Sequence, residues 1–528
     1  MIKQKNIKKS MLVLLVIAVL FCSFCPQYVA KEDIDVSEIG LFNRIKLYNN
    51  LRQKLHISNE DNFDGSGWPQ LFDNGIEDSA SAVAIDSQGN IIVAGYTGYT
   101  ENSTDILDLL TIKYDSLGNE LWNVTFDSGS YDFSWGVAID SQDNVYALGF
   151  NLTEIDDMQA LDLYLRVVKY DAQGLEQWNV KYHDENDTYP GGITVDLNDC
   201  IIINGGCGNI DGTDFHCWTI KMNDEGEELW NKSYTDDLVS IGSDVAIDSD
   251  GSIIVGGLSA SFFGQGYLII KYDDNGNQIS KHRFNLGNLP NAIAVDSNDN
   301  FLLTGQIYSR DTDSSAWHAL KSDKNGNLKW ERTFDSGSHD IPNDVSVDSL
   351  GNVVTVGGSY FSTGINYEHC VIIYNKDGEE ICLKRSGVKG YINGVTIDEN
   401  DRVLITGSIL LNNNLDIFTD IYEDIEPPAT NIVKPQGRSL YLLGIKLLSL
   451  PKNTFIFGKL PIIVEAEDQS DVSKVEFYID NELMETITEP PYEWVWDNRL
   501  FGRHDVRTMT YDESGSVAKY ELTVYKFF

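Results

Sequence analysis

The sequence predicts an all-β protein: a seven-bladed β-propeller closed by an amino-terminal strand and followed by an Ig-like β-sandwich. Three observations carry this expectation. A period of about 52 residues runs through 65–424, each period resolves into four strand-like segments, and the two ends of the run are incomplete in complementary ways.

An aspartate marks each period. Asp86, Asp140, Asp196, Asp248, Asp296, Asp348 and Asp398 end similar apolar-alternating segments and are separated by 48 to 56 residues. Repeats of this length with a two-residue alternation suit four-stranded blades, whereas helical repeats would show a 3.6 period. In the first period the strands are expected at 81–86, 91–97, 107–115 and 120–127. Strands one and three run into Asp86-Ser87-Gln88-Gly89-Asn90 and Asp115-Ser116-Leu117-Gly118-Asn119. In such turns the aspartate accepts bonds from its own downstream backbone and glycine supplies positive φ, so the anchors read as turn-formers. Gly205-Gly206 and Gly256-Gly257 close second strands and read as places of near backbone approach.

The fourth strands carry Trp122, Trp178, Trp230 and Trp330, each 18 residues before the next anchor. Trp68 precedes Asp86 by the same interval, which makes 65–73 a fourth strand without a blade of its own, while 394–422 supplies three strands without a fourth. Joining them closes the ring and removes exposed sheet edges. Small residues at one first-strand position, such as Ala84, Ala138 and Thr194, fit a wedge that narrows toward an axis, and tryptophan fills its wide outer side. Ser280 and Cys382 stand in for the tryptophan in two blades, which are expected to pack differently.

The segment Val83-Ala84-Ile85-Asp86-Ser87-Gln88-Gly89-Asn90-Ile91-Ile92-Val93-Ala94-Gly95, followed by Ile112-Lys113-Tyr114-Asp115 and Glu120-Leu121-Trp122, resembles the SBBP-type β-propeller repeat of exported bacterial and archaeal proteins. The resemblance covers roughly two thirds of the chain. It implies the fold and an extracellular setting and brings no catalytic residues. The pattern departs at 196–200 and 398–402, where the turn glycine is lost.

The flanks differ in kind. Residues 1–30 combine Lys3, Lys5, Lys8 and Lys9 with an apolar run over 11–24 and end in Tyr28-Val29-Ala30, the layout of a secretory signal peptide. The run is shorter than the ~20 residues that span a bilayer. Residues 31–64, with Leu41, Phe42, Ile45, Leu51 and Leu55 near helical spacing, read as a short helix and linker. After Glu426-Pro427-Pro428, alternating segments at 462–466, 474–479, 492–496, 505–511 and 520–525 predict a β-sandwich over 425–528. Its runs Val475-Glu476-Phe477-Tyr478-Ile479-Asp480 and Pro490-Pro491-Tyr492-Glu493-Trp494-Val495-Trp496-Asp497 resemble immunoglobulin-like domains of microbial surface proteins. The apolar stretch 438–458 is expected to be a buried hairpin or to dock on the propeller.

With 81 acidic against 39 basic side chains and a net charge of -42, the chain is unsuited to nucleic acid. Hydrophobic residues at 42% rule out a disordered acidic chain. Such a charge keeps an exported protein soluble and attracts cations and basic partners. The histidines form no zinc motif, and no nucleophile elbow, Walker loop or dinucleotide fingerprint occurs. The expectation is a secreted or cell-surface binding or adhesion protein, not an enzyme, for a glycan, envelope or protein ligand. It has no membrane span once the leader is removed and no required cofactor, with Ca²⁺ as an option. Two alternatives stay open: an extracellular enzyme acting on polysaccharide with carboxylates at the central mouth, and a structural envelope component.

Topology narrows the search. The turns after strands one and three lie on one face of a propeller, and the longer, variable loops after strands two and four lie on the other, where recognition usually resides. Asp127, Asp132, Asp236, Asp237, Asp335 and Asp340 on that face are candidate calcium ligands or simply solvated loop residues. Tyr99, Tyr131, Trp135, Tyr189, Phe262, Tyr308 and Tyr367 are candidate ligand-facing rings, or pack the loops. Cys207 with Cys217, and Cys370 with Cys382, are either disulfides or buried thiols.

Overall fold

The computed structural model describes residues 67–527 apart from short segments, chiefly 155–160, 183–186, 209–214, 236–238, 262–263, 361–366, 423–427 and 513–516. The expected leader at 1–30 and helix within 31–64 lie outside the described residues. Among the described residues every element is a strand. The chain divides into two compact units, one covering 1–371, 376–378 and 385–421, the other 372–375, 379–384 and 422–528.

The repeat-bearing stretch forms five four-stranded antiparallel sheets and one seven-stranded sheet. The latter runs Gln70–Phe72, Asn414–Tyr422, Val403–Leu411, Glu380–Ile397, Tyr367–Tyr374, Val353–Tyr360 and Asp340–Val347. Its 18-residue strand Glu380–Ile397 serves as the fourth strand of one blade and the first of the next. Gln70, Leu71 and Phe72 pair antiparallel with Thr419, Phe418 and Ile417, so the last blade takes its fourth strand from the amino-terminal end of the repeats.

Each blade is shaped by one device. In every first strand the register slips by one residue five positions before the anchor, between Ala80 and Ala82 in the first blade and between Ile392 and Gly394 in the last. The same slip occurs at Ser134/Gly136, Pro190/Gly192, Gly242/Asp244, Pro290/Ala292 and Pro342/Asp344. A bulge of this kind bends the strand and re-aims the extra residue. It also pushes a carbonyl onto the neighbouring strand, where only glycine fits. A Cβ on Gly95, Gly149, Gly205, Gly257, Gly305, Gly357 or Gly407 would lie 1.9–2.5 Å from the carbonyl oxygen seven residues before its blade's anchor.

The anchors form the turns, as their sequence suggests. Asp86 Oδ1 accepts from the backbone N–H of Gln88 and Asn90, each at 2.9 Å. Its other oxygen meets Lys113 Nζ from the third strand at 2.7 Å, with both side chains buried. Lys221 with Asp196 and Lys321 with Asp296 repeat the pair at 2.5 and 2.8 Å. Burial works against the Asp86 and Asp296 carboxylates, but the lysine and the turn N–H groups outweigh it and hold both below the usual range. Where glycine is missing from the turn, Asp143, Asp199, Asp299 and Asp401 adopt φ of 59–63°. Each of them holds a serine of the preceding blade by its backbone N–H and its hydroxyl: Asp143 holds Ser87, Asp199 holds Ser141, Asp299 holds Ser249 and Asp401 holds Ser349.

The tryptophans tie the outer rim. The indole N–H groups of Trp68, Trp122, Trp178, Trp230 and Trp330 donate to the carbonyls of Ser116, Ala172, Asp224, Asp274 and Lys376, always in the next blade's turn after strand three, at 3.0–3.2 Å. The turn glycines Gly174, Gly226, Gly276 and Gly378 lie against four of these rings. In the blade with Ser280, the matching Gly326 lies against His282 instead, so that junction does pack differently.

In the second unit, 429–527 forms a two-sheet sandwich. Ala429–Lys434, Leu460–Glu467 and Tyr492–Trp496 form one sheet. The other runs Ile445–Ser449, Ser439–Leu442, Thr454–Phe457, Val517–Phe527, Gly502–Asp512, Val472–Ile479 and Glu482–Ile487. Ile462, Val464, Phe477, Tyr492, Trp496 and Val524 fill the core between them. The apolar stretch does form a hairpin, but its outer strand is exposed along its whole length, correcting the expectation of burial. It is the edge of the sheet, so only Tyr441 on the inner strand reaches the core.

Candidate functional site

Two places in the repeat-bearing unit gather polar side chains. The first is a central cavity of ≈ 210 Å³ lined by the first-strand bulges. Bonds at and beside the bulges join each blade to the next. Ser81 Oγ donates to Ser134 O at 2.9 Å, Trp135 Nε1 to Gly191 O at 2.7 Å, and Asn204 Nδ2 to Asp244 O at 3.0 Å. Ile293 N donates to Asp244 Oδ2 at 3.0 Å, and Asn291 to the Pro342 carbonyl. Asn343 Nδ2 donates to Ile392 O at 2.9 Å, and Asn393 Nδ2 to Ala80 O at 2.8 Å, which returns to the first blade.

Two acids stand in this wall. Asp244 and Asp344 occupy the position filled by alanine or glycine in the other blades. Each accepts a backbone N–H from its own strand and one from the next blade: Val245 and Ile293 for Asp244, Val345 and Val395 for Asp344. Gly192 leaves Asp244 its space, since a Cβ there would lie 2.2 Å from Oδ1. Burial raises both carboxyls, and the Asp344 charge adds to the rise at Asp244, which reaches about 8 against about 7 for Asp344.

The second place is the loop-bearing face. Asp127 and Asp132 come together there with Asp108, their carboxylate oxygens within 4.8 Å of one another. Asp73, Asp78 and Asp416 form a second group of the same kind. Burial, and then the charge of Asp127, raises Asp108 to about 6, while burial raises Asp132 to about 6 against bonds from Ser128 and the charge of Arg166. Ser128 N and Oγ donate to Asp132 at 2.7 and 2.8 Å, and Gly129 N donates to Asp127 at 2.6 Å. Asp335 and Asp340 hold the matching positions at another junction, but Ser309 and Gly337 occupy Asp335, and Ser336 and Ser359 occupy Asp340. Asp236 and Asp237 lie outside the described residues.

The aromatic candidates divide. Tyr308 is 52% exposed beside Asp313, and Tyr99 is half-buried and bonds Asp108. Tyr131 packs on an apolar cluster, while Tyr189 and Tyr367 belong to the core, against Phe215 and Tyr391. Trp135 lies in the cavity wall, not among the loops. For Tyr189 and Tyr367 the ligand-facing expectation gives way to packing, because the start of a first or third strand is already inside the blade stack. Phe262 lies outside the described residues.

Of the two readings left open for the cysteines, the structure has the buried thiols. Cys207 faces His216 and Cys217 faces Gly206 across the same two strands. Residues one register step apart point to opposite faces of a sheet. Cys207 accordingly joins the core shared with Trp218 and Ile220, and Cys217 the core with Ile202 and Val255. Cys370 and Cys382 are buried thiols as well. Sequence reasoning missed Asp108, Asp416, Asp244 and Asp344. Only their blade-by-blade alignment against the anchors would have found them.

Comparison with known proteins bears on the two units separately. The chain is similar to an uncharacterized WD repeat-containing protein of Acanthamoeba polyphaga mimivirus, 21% identical, the match covering 62% of this chain and 35% of that protein. It is also similar in structure to the extracellular domain of a hybrid two-component system from B. thetaiotaomicron, with TM-score 0.43, 14% identity, and 88% of this chain and 58% of that one covered. The β-propeller domain of the Trilobed protease from Pyrococcus furiosus gives TM-score 0.42 and 11% identity, with 66% and 94% covered. The polysaccharide lyase Uly1 gives TM-score 0.43 and 11% identity, with 71% and 95% covered. The chain thus spans about a third of the curated relative and under two thirds of the first of these structures. At 446–524 it matches the bacterial Ig domain family, so the chain is a propeller-like repeat unit followed by a bacterial Ig-like domain.

Proposed function

We propose that this is an exported, cell-surface or secreted protein whose propeller presents the loops after strands two and four as a binding face for a glycan, envelope or protein ligand. The difference between the two ends of the blades carries the reading. At one end, turns of one design repeat and are tied together by the anchor aspartates. At the other, the intervals between second and third strands vary from two residues between Glu101 and Thr104, through six between Glu154 and Leu161, to seven between Gly208 and His216. A rigid frame with one uniform and one variable end is the arrangement that binding scaffolds use. The match to bacterial Ig domains supports a surface setting, and the repeat segments support assignment to the SBBP type.

Asp244 and Asp344 support a second reading, a polysaccharide-directed enzyme with an acid and a base at the axis. We place it second because both carboxylates are engaged by backbone N–H groups of the adjoining blade. The cavity is also below the ~300 Å³ at which ligand pockets begin. The test is retention of the purified chain on a glycan array and on bacterial envelope fragments. The proposal expects retention that Tyr308→Ala and shortening of the 154–161 hairpin weaken and Asp344→Asn leaves intact. Cleavage of an arrayed polysaccharide, abolished by Asp344→Asn, supports the enzyme instead, and no retention on any surface overturns the binding role.

A further inference from the structure

We propose that Asp108, Asp127 and Asp132, and separately Asp73, Asp78 and Asp416, form two calcium-class cation sites at successive blade junctions.

The two groups are one site repeated. Asp127 and Asp73 directly follow the fourth strands Glu120–Phe126 and Gln70–Phe72. Asp132 and Asp78 each stand eight residues before an anchor, Asp140 and Asp86. Asp108 and Asp416 directly precede Leu109 and Ile417, the residues that pair with Phe126 and Phe72. Third-strand, fourth-strand and next-blade carboxylates therefore converge by the same register in both places.

The geometry suits an ion. Calcium–oxygen distances of about 2.4 Å put any two ligands at most about 4.8 Å apart, and all three oxygens of each group lie within 4.8 Å of one another. The donors are oxygen only, without histidine or cysteine, which favours a hard cation over zinc or copper. An unmet demand marks the first group. Asp108 is 4% exposed, yet its Oδ1 has no hydrogen-bond partner. The nearby cation, Arg166, reaches Asn151 Oδ1 at 2.9 Å and acts on Asp132, leaving three carboxylates against one guanidinium. A buried acceptor left unsatisfied among like charges is costly unless a further positive charge completes the set.

The chain also contains its own control. At the junction with Asp335 and Asp340, the residue preceding Trp317, which pairs with Phe334, is Ala316. The third ligand is missing there, while the two loop acids keep the same kind of serine and glycine bonds as at the first site. Among the described residues two such sites are thus expected and not three, independently of which ligand the face binds.

The test is equilibrium dialysis of the full chain with calcium chloride at physiological salt, alongside thermal unfolding with calcium or chelator. Two equivalents are expected. Asp108→Asn and Asp416→Asn should each leave one, the double variant none, and Asp335→Asn two. Calcium should raise the unfolding temperature of the parent chain and leave that of the double variant unmoved, which separates lost binding from lost folding. No binding up to about 10 mM calcium, weaker than the extracellular range of 10⁻⁴–10⁻³ M, overturns the proposal. So does a stoichiometry that either triad substitution leaves unchanged.

Discussion

Replacing Gly205 by alanine tests whether the bulge-and-glycine device holds each blade. The new Cβ would lie 1.9 Å from the Tyr189 carbonyl oxygen and 3.0 Å from the Gly191 nitrogen. Both obstacles are backbone, and an ordinary carbon–oxygen contact needs about 3.2 Å, so a strand must move by more than 1 Å against a packed core. Overpacking of that kind costs about 3 kcal/mol, near the upper end of what single substitutions do. The neighbouring Gly206 supplies the comparison, because its Cβ would meet only the Ile241 Cγ2 methyl at 3.1 Å, an atom that can yield. Gly206→Ala should cost about 1 kcal/mol or less. Urea unfolding followed by fluorescence of the junction tryptophans gives both midpoints. Equal midpoints for the two variants would refute the reasoning.

Other consequences follow from the same contacts. Asp143 holds φ of 63° and two bonds to Ser87, so Asp143→Ala should cost about 2 kcal/mol while Asp143→Gly, which relieves the backbone, should cost about 1, measured by denaturant midpoint. Trp122→Phe removes the indole bond to Ala172 O at 3.1 Å and should destabilise by about 1 kcal/mol, with faster hydrogen exchange confined to the first and second blades. The carboxyls of Asp244 and Asp344, raised to about 8 and about 7, bind protons more tightly folded than unfolded. Their contribution is fully present at low pH and is lost as pH rises from about 4 toward 8. The lowered Asp86 and Asp296 act oppositely, losing their stabilisation as pH falls below about 4. Stability should therefore peak in mild acid, and Asp344→Asn should flatten the alkaline limb of the unfolding temperature against pH.

The frame was legible because its signals are local and repeated. An anchor aspartate states its turn within five residues, and the constant interval from tryptophan to anchor exposed Trp68 as a displaced fourth strand, now seen paired to Asn414–Tyr422. What escaped depends on strand register. Cys207 and Cys217 look close in sequence, yet one register step sends them to opposite cores. Asp108 and Asp416 sit within strands and carry no loop signature, so the acids at the loop ends were noticed and their third partner was not. Tyr189 and Tyr367 lie beside variable loops in sequence but inside the blade stack in space. The extra residue at each bulge, which places Asp244 and Asp344 in the central wall, leaves no trace in the two-residue alternation.

The binding face and the site at Asp73, Asp78 and Asp416 both depend on the amino-terminal strand completing the last blade, because Asp73 and Asp416 come from opposite ends of the repeats. Native-state hydrogen exchange tests this directly on the strand Asn414–Tyr422. If Gln70–Phe72 covers it, its central amides, around Ile417 to Thr419, should exchange as slowly as those of the interior third strand Leu161–Tyr170. Exchange as fast as in the edge strand Glu176–Tyr182 would contradict the closed arrangement and the site built across it.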